Sequence, residues 1–189
     1  MTITFQTVLG ILLAGILSEN IALTEFLGTG AVLENERPTK KSLMLGLGTT
    51  VVMLLSTLIT WPINHYLLEK VSYLQTMVFV LVVLGVVEVL HVVARKLLDN
   101  YCRADFVKFA INGAVLGLCI HNAHRTFLEA IIYAVAIGLG FMVAMTVYAK
   151  LKDDYVDEEA VPASFRGLPI ALLTAGMIAL AMLALQFKF

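Results

Sequence analysis

The sequence predicts an all-α integral membrane protein with six transmembrane helices, built as two inverted three-helix repeats in which helices 1 and 4 are broken. Three observations predict this class: an apolar composition, an alternation of basic residues between connections, and a glycine-centred phrase that occurs twice. Of the 189 residues, 60% are hydrophobic and 14% are charged, far from the composition of soluble domains. We therefore expect a single membrane domain, 1–189.

Three uncharged runs are long enough to cross a bilayer, because a hydrocarbon core of about 30 Å needs about 20 apolar residues in helical form. These second, fifth and sixth segments are Ser42–Leu68, Ala130–Ala149 and Gly167–Phe187. Three further apolar segments are too long, too short or interrupted by ionisable residues. These first, third and fourth segments are Met1–Leu33, Val71–Ala94 and Phe109–His124. Six crossings follow from the count.

Basic residues concentrate in alternate connections, and their distribution sets the orientation of a membrane protein. Ten of the 13 lie in the first, third and fifth connections: Arg37, Lys40, Lys41, Arg95, Lys96, Arg103, Lys108, Lys150, Lys152 and Arg166. The other three are Lys70, Arg125 and Lys188. The pattern predicts that the three basic connections are cytoplasmic and that both termini lie outside. The near-neutral net charge of −1 excludes a nucleic-acid-binding protein.

Weak internal similarity predicts that repeat one (1–97) and repeat two (98–189) share one design. GLGTTVVML (46–54) aligns with GLGFMVAMT (138–146), and GAVL occurs at 30–33 and again at 113–116. Because each unit holds three helices, an odd number, the two units must be inverted relative to one another, as in many transporters. A match of four residues in so apolar a chain also arises by chance, which is the alternative interpretation.

The repeated phrase places Gly30 and Gly113 where a continuous helix would be expected. The first segment would span about 45–50 Å as one helix, which exceeds the hydrocarbon core. The first interpretation is therefore that both helices break at these glycines and meet near the membrane midplane, buried by protein. The alternative is that the glycines only permit close packing of helices.

Several motifs together resemble a known family, the six-helix subunits of the Rnf and sodium-pumping NADH:quinone oxidoreductase complexes. The nearest branch is the A subunit of Rnf with its E-subunit counterpart in the quinone reductase. The motifs are SENIALTEFLG (18–28), LGLGTT (45–50), VVARK (92–96), NGAVLG (112–117) and VPASFRGLPIALLTAGM (161–177). The resemblance implies inverted repeats and a membrane subunit, not itself catalytic, of a complex that links ferredoxin and nicotinamide chemistry to Na⁺ or H⁺ movement. It also implies a homologous E-like partner, other Rnf-like subunits, and a bacterial or archaeal cytoplasmic membrane.

The family similarity further implies a two-iron iron–sulfur cluster at the shared axis, held by one cysteine from each half-helix break. Here Gly30 and Gly113 occupy the positions of both ligands, and glycine has no thiolate to offer. Cys119 lies six residues after Gly113, which is about 9 Å further along a helix. Cys102 lies near the cytoplasmic surface. We therefore expect this chain alone to bind no cluster and no metal. The alternative function is a cluster-free inverted-repeat transporter or a structural homodimer.

Ionisable residues inside apolar segments are candidates for an ion pathway, because burying them is unfavourable. Glu88 and His91 lie three positions apart and share a helix face, and Glu19 lies in the first segment. The alternative for each is a structural contact at a subunit interface. Glu25 is expected either to cap the break or to pair with a charge on a partner.

Overall fold

The computed structural model describes residues 5–18, 20–25, 27–28, 30, 39–68, 71–97, 112–155 and 161–186. Every regular element in these ranges is a helix. The α-helices are α1 (Phe5–Leu13), α2 (Ile21–Thr24), α3 (Thr39–Ile63), α4 (Gln75–Leu97), α5 (Gly113–Asn122), α6 (Phe127–Tyr155) and α7 (Leu168–Gln186). π-helical turns at Ala14–Ser18 and Asn64–Leu68 extend α1 and α3, and short 3₁₀ turns at Ser72–Leu74 and Ala163–Phe165 precede α4 and α7.

Three helices are long and apolar enough to cross a membrane, judged over the described residues by length and composition. They are Leu45–Leu68, Gln75–Val93 and Phe127–Lys152, and two shorter apolar helices cover Gly113–Asn122 and Leu168–Ala184. The chain is thus an all-helical membrane protein. The second and fifth predicted segments are confirmed as long apolar helices. The sixth is also helical, but its apolar helix is shorter than the prediction.

The third predicted segment is also helical, and α4 runs unbroken through both of its ionisable residues, Glu88 and His91. Glu88 is exposed and His91 is half-exposed on this helix. Glutamate is a good helix former, and an outward-facing carboxylate does not compete for the helix's own hydrogen bonds. The first predicted segment, by contrast, is interrupted in the structure.

That interruption is buried against α6. Asn20, which is 0% exposed, separates the π-helical turn from α2 and accepts a hydrogen bond from the Ala22 N–H at 3.2 Å. Its amide nitrogen donates to the Gly140 carbonyl at 2.8 Å. Gly15 and Gly140 lie so close together that a β-carbon on Gly140 would be 2.5 Å from the Gly15 oxygen. Protein therefore surrounds the broken backbone, which is the condition for such a break at membrane depth.

The centre of the molecule is the crossing of α3 and α6. A β-carbon on Gly46 would lie 2.7 Å from Met142 Cγ, and one on Gly138 would lie 2.5 Å from Thr50 Cγ2. No real side chain tolerates such distances, so glycine lets the two backbones approach closely. The crossing is antiparallel, because the contact moves from 46 to 50 on one helix and from 142 to 138 on the other.

Candidate functional site

The first and fourth segments meet at a junction that we call the glycine junction, formed by Leu27, Gly28, Asn112 and Gly113. A β-carbon on Gly113 would lie 3.6 Å from the Gly28 nitrogen, and one on Gly28 would lie 3.3 Å from Asn112 Oδ1. The Leu27 side chain covers Gly117 one turn further along α5. The structure thus brings the two segments together at this point.

Asn112 explains why α5 begins where it does. Its backbone is extended, with φ −130° and ψ 158°, and its side-chain oxygen accepts the Val115 N–H at 3.1 Å. An asparagine in this position supplies one of the partners that the first N–H groups of a helix lack. Gly113 is therefore the first residue of a regular helix, and Asn112 is its non-helical N-cap.

Gly28 adopts the left-handed backbone conformation in the first segment, with φ +74°, which glycine enters without steric cost. Gly30 has no such φ, is helical and exposed, and a β-carbon there would meet no atom within 4 Å. Gly113 likewise has ordinary backbone geometry and room for a β-carbon. Neither backbone conformation nor close packing therefore requires glycine at position 30 or 113. The alternative interpretation, in which these glycines permit close helix packing, assumed the latter. The proximity of Gly30 to Gly113 themselves stays a prediction.

The residues at the junction do not fit an iron–sulfur cluster, which requires thiolates. Cys119 is 1% exposed and belongs to the hydrophobic core. It lies within α5 and away from the helix start at Gly113. Cys102 lies outside the described residues. No chemical step through a cluster is therefore assigned to this chain.

A contact between a carboxylate and an imidazole, missed by sequence reasoning, links the end of α2 to the end of α5. Glu25 Oε1 lies 3.5 Å from His121 Nε2, with the side chains 40% and 43% exposed. Glu25 ends α2, and His121 lies in the last turn of α5, where its Nδ1 is 3.2 Å from the Gly117 carbonyl. Glu25 thus pairs within its own chain, whereas the sequence left open a partner's charge. Nothing in the linear spacing, 96 positions, indicated this contact.

None of the three candidate residues for an ion pathway is among the residues that form the glycine junction. Glu88 and His91 lie on α4, and neither is buried in the core. Apolar residues exposed on the same helix, Leu84, Val89 and Val92, place Glu88 on a surface that lipid or another protein of a complex would cover. Glu19 lies outside the described residues, next to the buried Asn20.

Taken together, long apolar helices and an interrupted first segment that is buried in the core and packs against the start of α5 define a multi-helix membrane protein. The comparison of sequences makes this specific. The chain belongs to the Rnf-Nqr subunit family of membrane proteins, whose family model matches residues 8–188.

Relatives with curated names match over nearly the whole chain. One is the A subunit of the Na⁺-translocating ferredoxin:NAD⁺ oxidoreductase complex of Acetobacterium woodii, which is 32% identical over 94% of this chain and 96% of its own length. Another is the A subunit of the ion-translocating oxidoreductase complex of Erwinia tasmaniensis, which is 34% identical over 88% of this chain and 89% of its own length. The protein of the same name from Syntrophotalea carbinolica is 32% identical, with 93% and 94% covered.

Proposed function

We propose that this chain is the A-like membrane subunit of an ion-translocating electron-transport complex. The observation that carries the proposal is its match, from end to end, to proteins named as the A subunits of such complexes. The contact between the interrupted first segment and the start of α5 supports it, since transporters bind and pass ions where discontinuous helices meet. Its partners in this proposal are a homologous E-like subunit together with the other subunits of the complex, and Na⁺ or H⁺ is the ion moved.

The proposed architecture is six crossings in two inverted repeats, with both termini outside the cytoplasmic membrane of a bacterium or archaeon. The reciprocal contacts at the α3–α6 crossing support it. Gly46 meets Met142 and Gly138 meets Thr50, and each residue of one pair lies 92 positions from its counterpart in the other. An antiparallel crossing with this exchange is what a two-fold axis perpendicular to the helices produces, so chance similarity between 46–54 and 138–146 is a poorer explanation.

The proposal includes that this chain contributes no ligand to an iron–sulfur cluster. Glycine at both positions where the resemblance implies cysteine supports this, and it also favours the second candidate function, a cluster-free inverted-repeat transporter or structural homodimer. In the first case any cluster at the axis depends on thiolates from the partner protein. In the second, no redox protein accompanies the chain.

The experiment is purification of the tagged chain from its native membranes, followed by identification of its stoichiometric companions by mass spectrometry. A homologous membrane subunit together with subunits that carry flavin or ferredoxin-type motifs is the expected result. Deletion of the gene is then expected to abolish ferredoxin-dependent NAD⁺ reduction by membrane vesicles. A chain that purifies only with copies of itself, and whose deletion leaves this activity intact, would replace the first function by the second.

A further inference from the structure

A pocket of about 530 Å³ opens where the end of α3 meets the connection from α5 to α6, at the opposite end of α5 from the glycine junction. We call it the Trp61 pocket. The side chains that line it and carry the argument are Trp61, His65, His124, Arg125, Thr126 and Phe127. They come from two places, the end of α3 with its π-helical turn and the connection from α5 to α6. π-Helical turns are rare and often lie at functional sites.

The walls of the Trp61 pocket are held by internal contacts. The Trp61 indole N–H donates to the Arg125 carbonyl at 2.9 Å, and the Asn64 amide donates to the Ala123 carbonyl, also at 2.9 Å. The indole lies against the His65 ring on one side, at 5.1 Å between centroids, and against Phe127 at 4.9 Å. Two hydrogen bonds and two ring contacts therefore fix the pocket before any ligand arrives.

The charge of the pocket favours an anion. Arg125 carries a permanent positive charge, and its guanidinium carbon lies 3.8 Å above the centroid of the buried Tyr133 ring. The His65 and His124 rings add N–H groups that an anionic oxygen can accept from. The acidic residue nearest in sequence, Glu129, accepts the Thr126 backbone N–H at 3.3 Å, and its negative charge also interacts with Arg125. A phosphate in the pocket would therefore share the Arg125 guanidinium with this carboxylate and draw its other hydrogen bonds from the two histidines. The planar guanidinium of arginine can donate two parallel hydrogen bonds to two oxygens of one phosphate, a geometry that no other side chain offers.

The position of the pocket indicates what carries the anion. The apolar spans Leu45–Leu68 and Phe127–Lys152 both have one end at the pocket, which places it at the depth of the lipid headgroups, where tryptophan is enriched. Leu67 and Leu128, next to the lining residues in sequence, are 68% and 54% exposed. A ligand here would meet cationic and N–H groups with its head and exposed apolar side chains with its tail.

We propose that the Trp61 pocket binds the phosphate headgroup of an anionic phospholipid, with its acyl chains along Leu67 and Leu128. The phosphate would accept hydrogen bonds from Arg125 and from the exposed histidines. This site lies outside the glycine junction, and the proposal does not depend on the chain's proposed role in electron transport. Basic pockets between membrane helices are known to bind anionic headgroups in other proteins.

The test is native mass spectrometry of the purified full chain, titrated separately with phosphatidylglycerol, phosphatidylcholine and inorganic phosphate. We expect phosphatidylglycerol to bind more tightly than phosphatidylcholine, and inorganic phosphate not to displace it at equal concentration. Arg125→Gln is expected to weaken phosphatidylglycerol binding at least about tenfold, the value of one charge-assisted hydrogen bond. Arg166→Gln, which removes an exposed arginine before α7, is the matched control and should bind as the unmodified chain does.

Equal affinity for the two lipids would overturn the proposal, as would displacement by inorganic phosphate, which would define a site for a free anion. If Arg125→Gln does not purify as a monodisperse protein, the double variant His65→Gln, His124→Gln decides the matter. Both of these side chains are exposed, so the fold should persist. Weaker phosphatidylglycerol binding by this variant supports the site, and unchanged binding rejects it.

Discussion

The side-chain amide of Asn20 donates a hydrogen bond to the backbone carbonyl of Gly140 at 2.8 Å, across 120 positions of sequence. The other end of the same side chain accepts the Ala22 N–H, so both ends of one buried amide are used. This residue connects the interruption of the first segment to the middle of α6. It keeps the broken backbone in the core, where water cannot satisfy its polar groups.

Replacing Asn20 with alanine should therefore lower the free energy of unfolding in detergent by about 1–3 kcal/mol, because it removes the hydrogen bond to the Gly140 carbonyl and deprives the buried Ala22 N–H of its side-chain acceptor. Thermal and denaturant unfolding followed by circular dichroism would measure the change. Gln6→Ala, at an exposed position of α1, is the control and should be near neutral. Equal stability of the two variants would show that Asn20 does not hold the interruption in place.

A second prediction concerns the crossing of α3 and α6. Gly138→Ala should destabilise the protein, because the added methyl would lie 3.0 Å from the Thr50 Cα, an atom of the backbone that cannot move aside cheaply. Gly46→Ala should have a similar effect for the same reason, against the Met142 Cα. Gly85→Ala, on α4 with nothing within 4 Å, should be neutral or slightly stabilising. The three melting temperatures provide the check, and a tolerated Gly138→Ala would contradict the close approach.

These contacts show which features of the fold could be predicted from the sequence. Apolar length predicted the long helices, since the bilayer fixes the length that a helix needs. The same glycine-rich stretch, 46–54, was matched to 138–146 by letters alone, and the two stretches contact one another in the structure. Conformation at individual glycines was less predictable. The sequence repeat pointed to Gly30 and Gly113, yet the left-handed glycine at the junction is Gly28. Backbone geometry depends on tertiary contacts that a short local motif does not encode.

The Glu25–His121 pair and the Trp61 pocket were beyond sequence reasoning for a related reason. Each joins residues about 60 to 100 positions apart, and only the packing of α2, α3 and α5 brings them together. Hydrophobic patterning identifies which segments lie in the membrane, but in a chain this apolar it does not identify which faces of those segments meet.

The predicted orientation has a direct test. A single cysteine near Lys152, in the cytoplasmic connection of the proposal, and one at the C-terminus should react with a membrane-impermeant reagent from opposite sides. The reason is the excess of basic residues in the first, third and fifth connections. Inverted vesicles and intact cells give the two sides. Labelling of both positions in the same preparation would reject an arrangement with both termini outside.

Glu88→Gln should reduce coupled ion transport by the assembled complex while leaving assembly intact, if the carboxylate binds the moving ion. The carboxylate lies on an outward face of α4 among apolar side chains, where an uncovered charge would be costly in lipid. Asp154→Asn, at an exposed acidic residue of α6, is the control. Transport that is unchanged, or a complex that dissociates, would make Glu88 a structural residue of an interface within the complex. His91→Gln provides the same comparison one turn away.

The last prediction returns to the two glycines of the repeated phrase. A β-carbon on Gly30 meets open space and one on Gly113 makes only ordinary contact, so cysteine should be accommodated at both positions without disturbing the junction. We expect the unmodified chain, purified alone, to hold no stoichiometric iron, because neither glycine supplies a thiolate. The double variant Gly30→Cys, Gly113→Cys should acquire iron and an electron paramagnetic resonance signal when it is reconstituted with its partner protein. Cys119→Ser in the same background should leave that signal unchanged, since Cys119 is buried in the core away from the helix start.

Iron bound stoichiometrically by the unmodified isolated chain would contradict the prediction. Iron that appears only with the two new cysteines would identify the glycine junction as a cluster-binding site that keeps its backbone geometry although the ligating cysteines have been replaced by glycine.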